Sequence, residues 1–277
     1  MNSFSSLLRL QNRCTRFEKS RTSRRLLTTA APQESLAGTV PYHLSYILLH
    51  THEATSKYPS KFHSPLQRSL LLNVAQWGGV VNFSYSPEQR LHPGYTGIGV
   101  PALHEAYTAT AFSVRGRLDL LDITANNMDD VAEALRALAL GETGARAVHR
   151  PNDPLTLYLY VCTHGARDCR CGNTGGAVYE ALRSEVEKRG LSERVFVGSV
   201  GHVGGHKYAA NILVHPHGDW LGLVDVGDVP GVLDEILARN DALKEYRASL
   251  APLCRKFWRG RMGLSKDEQL ALLSSPP

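Results

Sequence analysis

The chain has 277 residues, 43% hydrophobic and 21% charged, which is ordinary for a folded protein with an apolar core. No apolar run approaches the roughly 20 residues of a membrane-spanning helix, so a transmembrane segment is excluded. The net charge of +5 does not argue for nucleic acid, because Arg9, Arg13, Arg16, Lys19, Arg21, Arg24 and Arg25 carry it against the single early acid Glu18.

Residues 1–31 are rich in Arg, Ser and Thr, and Phe4, Leu7, Leu8 and Leu10 recur beside the arginines at near-helical spacing. Such a cationic, amphipathic, acid-poor stretch predicts a mitochondrial transit peptide cleaved near residues 25–32, with the matrix preferred over the intermembrane space. Tyr42 to His50 then reads as a strand, and Leu66, Leu70, Val74 and Trp77 mark a helix ending at Gly78-Gly79. Val80 to Tyr85 is a second strand. Thr110–Val114 and Leu118–Ile123 form a hairpin around Arg115-Gly116-Arg117, and Asn127 caps a helix with Val131, Leu135 and Leu138 inward. Residues 141–154 have no period and two prolines, and read as a linker.

The second half repeats the order. Leu155 to Val161 is a strand, Val178, Leu182 and Val186 mark a helix stopped at Gly190, and Val195 to Val200 is a strand. Asn211–His215 and Trp220–Val224 form a hairpin over His217-Gly218-Asp219, and Asp228 caps a helix facing inward with Val232, Leu233, Ile236 and Leu237. After residue 241 come one more helix, the stretch KFWRGRMG, and a short helix capped by Ser265 with Glu268 three positions on. In that stretch Arg255, Lys256, Arg259 and Arg261 form a basic patch that either docks a partner or is solvated while its aromatics pack inward.

A parallel crossover, an antiparallel hairpin and a closing helix make the layout of a thioredoxin-like core. The fold class is therefore α/β: two thioredoxin-like lobes, 41–140 and 151–240, with a C-terminal helical tail, 241–277. The similar hairpin-helix segments suggest an internal duplication.

Cys14, Cys162, Cys169, Cys171 and Cys254 are the cysteines, three of them within ten residues, which suits metal or redox work better than a disulfide framework. The stretch CTHGARDCRC leaves a buried strand and enters a helix, where backbone N–H groups favour thiolates. A glycine-rich loop, His202-Val-Gly-Gly-His206, follows the next strand. In a thioredoxin-like fold both loops lie at one edge of the sheet. Gly204 and Gly205 argue against a helix between the histidines. The four side chains Cys162, Cys171, His202 and His206 suit tetrahedral zinc and also suit a [2Fe–2S] cluster. His164 inside the cysteine loop reads as a supporting residue with ligation as the alternative. His215 and His217 read as turn residues. His50 and His52 end the first strand at the equivalent place, where no cysteine follows, so the first lobe is expected to carry no cluster. The glycines from Gly198 to Gly205 do not make a dinucleotide loop, because KYAANILV reads as a strand and not as the helix that site needs.

The paired motifs CTHGARDCRC and HVGGHKYAAN resemble the sucrase/ferredoxin-like family, and within it the fungal altered-inheritance-of-mitochondria branch. The resemblance covers most of the chain from about residue 41. It implies that the second lobe is a thioredoxin-like ferredoxin whose [2Fe–2S] cluster is held by Cys162, Cys171, His202 and His206, with Cys169 outside the pattern. Two thiolates and two neutral imidazoles leave an oxidised cluster formally neutral where four thiolates leave a dianion. The potential should then lie above the roughly −400 mV of plant-type ferredoxins, and Arg167, Arg170 and Lys207 should push it the same way. An electron-transfer protein working with a reductase or thiol protein follows. A zinc-stabilised binding module on the same four residues, and a thiol oxidoreductase using Cys169 and Cys171, are the alternatives.

Overall fold

The computed structural model describes residues 35–141, 157–242 and 251–275. The expected leader, nearly all of the expected linker, Leu155 and the helix expected straight after residue 241 lie outside the described residues. The first half holds β1 (Ser45–His50), α1 (Pro65–Ala75), β2 (Gly79–Tyr85), β3 (Tyr107–Ser113), β4 (Gly116–Ile123) and α2 (Met128–Leu140). The second holds β5 (Leu157–Cys162), α3 (Gly176–Lys188), β6 (Val195–Val200), β7 (Ile212–His215), β8 (Asp219–Leu221) and α4 (Val229–Ala242). β9 (Trp258–Arg261) and α5 (Lys266–Ser274) follow.

The nine strands of the described residues form one sheet in the order β4-β3-β1-β2-β6-β5-β7-β8-β9. β1 runs parallel to β2 and antiparallel to β3, and β5 runs parallel to β6 and antiparallel to β7. The fold is thus mixed α/β, and each half has the thioredoxin-like order; the repeat is one of topology. The halves meet where β2 pairs antiparallel with β6 through Ser84–Val200 and Tyr85–Ser199.

The local chemistry explains the elements. Ser64 accepts the Gln67 N–H and Pro65 opens α1, which turns Leu66, Leu70 and Val74 inward. These pack with Ile47, Leu49, Val81, Phe83 and the inner face of α2. α3 and α4 cover the second half with Val178, Leu182, Leu233 and Ile236. Every residue of β1 is buried, so the strand is covered on both faces. The second cover is the other half of the sheet. Phe112 of β3 stacks on His215 of β7 at 4.1 Å and lies 5.2 Å from Tyr158 of β5, although three strands separate β3 from β5. The sheet therefore curls, and Tyr46, Leu48, Phe112, Tyr160, Leu213 and Trp220 form an inner core between its two arms.

Several local expectations change. Asn127 stands at the start of α2, but its Oδ1 accepts from the Thr124 N–H and hydroxyl and caps nothing. Asp225, not Asp228, caps the turn into α4, while Asp228 answers from three residues on by accepting the Asp225 N–H. The strand expected over Trp220–Val224 ends at Leu221, because Leu223 takes a φ of 59°. KYAANILV opens with a 3-10 turn, His206–Tyr208, and becomes strand only at Ile212. The basic stretch is not a solvated tail. It supplies β9, pairing with β8, and buries Arg259 and Arg261. Asp219 takes Arg261 through both carboxylate oxygens and accepts the Trp258 indole N–H at 2.5 Å. The helix capped by Ser265 and Glu268 forms with both reciprocal bonds in place.

Candidate metal centre

Cys162 is the last residue of β5, and Cys171 opens a π turn, Cys171–Gly175, that runs into α3. The eight-residue excursion between them folds back on itself. A Cβ on Gly175 would stand 2.1 Å from the Cys162 carbonyl oxygen, so only glycine lets the helix start press against the strand end. Asp168 steadies the turn. Its carbonyl accepts the Cys171 N–H at 3.1 Å, and its carboxylate takes the Arg170 guanidinium, which holds its pKa below the usual range.

The histidine loop leaves β6 at the same edge. Residue 82 of the first half holds it: Asn82 Nδ2 donates to the carbonyls of Gly201 and His202 and to the Tyr46 hydroxyl. Gly204 and Gly205 take φ values of 84° and 66°, so the segment between the histidines is a loop as expected. His164 supports it from the cysteine loop. Its Nε2 donates to the Pro59 carbonyl at 2.9 Å, which leaves Nδ1 to accept the His202 N–H at 3.3 Å. Burial lowers its pKa, consistent with that neutral tautomer.

The loops bring three of the four expected side chains together. Donor atoms of Cys162, Cys171 and His202 all lie within 4.8 Å of one another, with Cys171 Sγ 3.7 Å from His202 Nδ1. The two thiols are buried and His202 is half-buried. The Cys171 thiol donates to Cys162, so the Cys162 pKa falls, helped by His202 and the Val203 N–H, and the Cys171 pKa rises. His206 stands one step outward. Its ring lies 5.7 Å from that of His202, its Nδ1 is 3.7 Å from Asp168 Oδ2, and its side chain is 49% exposed.

Cys169 is disulfide-bonded while Cys171 is a free thiol, so these two are not joined to each other. His50 occupies in β1 the place Cys162 holds in β5. It is buried, bonded to Thr108 Oγ1 and the Arg90 carbonyl, and pushed down to about 4 by burial. His215 is sealed against Phe112 and pushed down to about 3. Neither belongs to a second metal-binding group among the described residues. Tyr46, Asn82, Asp168 and Asn211 were not legible as site residues.

A family model described as sucrase/ferredoxin-like matches residues 36–248. Altered inheritance of mitochondria protein 32 from Debaryomyces hansenii is 35% identical over 98 residues, 33% of this chain and 35% of that protein. The protein of the same name from Meyerozyma guilliermondii is 33% identical over 93 residues, 32% and 33% of the two chains. Actin patches distal protein 1 from Saccharomyces cerevisiae is 32% identical over 96 residues, 30% of each. The matches thus span about a third of the length of these curated relatives. Among solved structures, a thioredoxin-like [2Fe–2S] ferredoxin from Aquifex aeolicus aligns at 15% identity over 38% of this chain and 92% of that one, with a TM-score of 0.31.

Proposed function

The chain belongs to the sucrase/ferredoxin-like family, and on that footing we propose that it holds a [2Fe–2S] cluster on Cys162, Cys171, His202 and His206 and relays single electrons in mitochondria. The observation that carries the reading is the meeting of two buried thiols and an imidazole from two separate loops, with donor atoms within 4.8 Å. The donor set fits the group. Thiolate and imidazole are soft or borderline ligands that suit iron–sulfur clusters and zinc and do not suit magnesium or calcium. When bound, the cluster supplies a reversible one-electron store.

The chain's own residues divide the remaining work. The thiols sit on the buried side, where water is excluded. Asn82 and His164 hold the main chain of the histidine loop. His206 is the exposed member, so a reductase or thiol protein would approach on its side. The cationic leader and the names of the fungal relatives support the mitochondrial setting, with the matrix as the preferred compartment. One observation favours a second reading. Three donors so close together also suit a single zinc ion with His206 or another group completing the shell.

Anaerobically purified protein separates the two. Visible absorbance, about two irons per chain and an EPR signal that develops on reduction are expected. A colourless protein carrying zinc would overturn the cluster.

A further inference from the structure

Asn211, 1% exposed, is where three parts of the centre meet. Its carbonyl accepts the Cys162 N–H at 3.0 Å, its Nδ2 donates to the Gly205 carbonyl at 3.2 Å, and its Oδ1 accepts Arg259 Nη1 at 2.7 Å. Arg259 arrives from β9, beyond the residues that match the family. It is 2% exposed. Its other hydrogen bonds go to the hydroxyl and carbonyl of Thr39, and its guanidinium lies over the rings of Tyr208 and Trp220 at 4.7 and 5.7 Å.

All these neighbours are neutral. Arg170, Arg183, Arg189 and Arg261 each hold a carboxylate, whereas no carboxylate lies within ion-pair distance of Arg259 among the described residues. A buried cation without an opposite charge is costly. Burial pulls the Arg259 pKa down to about 10, so the group stays charged at neutral pH, and Cys162 is one of the two groups that favour its charge. The approach is close. A Cβ on Gly205 would stand 2.5 Å from Arg259 Nη2, so the histidine loop is shaped to let the guanidinium come up beneath it.

We propose that Arg259 is the buried counter-cation of the metal centre, placed by β9 and Asn211 to favour the reduced state of the cluster. The inference rests on the cluster reading above. Reduction brings one electron from the reductase partner and makes the formally neutral site an anion, and a fixed cation shielded from solvent stabilises that anion without itself changing protonation. Arg170 cannot do the same, because Asp168 already offsets it and solvent screens it.

The test is a redox titration followed by visible absorbance on the purified, metal-loaded chain, with iron measured on each sample. Arg259→Gln is expected to shift the midpoint potential to more negative values at unchanged iron content, and Arg259→Lys to hold it near that of the unmodified chain. Arg170→Gln should give a smaller shift that salt suppresses. Asn211→Asp places a carboxylate against the guanidinium and should lower the potential even if Arg259→Gln fails to fold. Potentials unchanged in every Arg259→Gln or Asn211→Asp sample that retains iron would overturn the proposal. Absence of a cluster from the unmodified chain would instead overturn the reading on which it rests.

Discussion

His164 shows how much a residue can matter without donating to a metal. Replacing it by alanine leaves all four proposed ligands in place but strips the His202 N–H of its acceptor and cuts the tie to Pro59. Losses of such supporting contacts weaken metal sites by about 10- to 100-fold. His164→Ala is therefore expected to bleach faster against a chelator, measured as the decay of visible absorbance. Substitution within the cysteine loop should be selective: Cys171→Ser abolishes the visible spectrum and Cys169→Ser preserves it, compared at equal protein concentration. The four proposed donors were legible as candidates because their spacing carries a motif. Asn82, Asn211 and Arg259 were not, because each acts on main chain or charge brought near by folding, and nothing in their own neighbourhoods records that partner.

Elements divide along the same line. The capping box of Ser265 and Glu268 is local, spanning one turn, and the sequence reading places it correctly. β9 is invisible to the same reading because two of its four residues are arginines, which break the apolar pattern of a strand. They are tolerated only because Asp219, Asn211 and Thr39 wait for them. A surface tie can be tested by pH. Glu88, in the turn after β2, accepts two bonds from Arg183 of α3, and that guanidinium holds its carboxyl down at about 2. A depressed carboxyl stabilises the fold above its ordinary value of about 4.3, and that contribution is lost as pH falls through the folded value. Both partners are partly exposed, so Glu88→Gln should cost under about 1 kcal/mol at neutral pH. In urea melts the gap from the unmodified chain should narrow between about pH 4 and about 2.

At the scale of the molecule, the curled sheet makes the arms depend on one another. The unbroken run Tyr46–Leu49 puts apolar side chains on both faces of β1, but does not say what covers the second face. The answer is the opposite arm, through Phe112, His215, Tyr158 and Tyr160. Phe112 is 1% exposed, and Phe112→Ala should cost about 3–5 kcal/mol. Unfolding followed by tryptophan fluorescence and by circular dichroism should keep a single shared midpoint, since the lost contact belongs to both arms. Separate midpoints, with the second half undisturbed, would contradict that dependence.

Thr39, Asn82, Asn211 and Arg259 reach the neighbourhood of the histidine loop from widely separated parts of the chain. A ribosome releases them one after another, and Arg259 emerges long after every cysteine and histidine of the centre. A nascent polypeptide halted before Trp258 would display all four proposed ligands above a missing floor. On the proposed cluster reading, iron would be delivered to the finished product and not to the growing one.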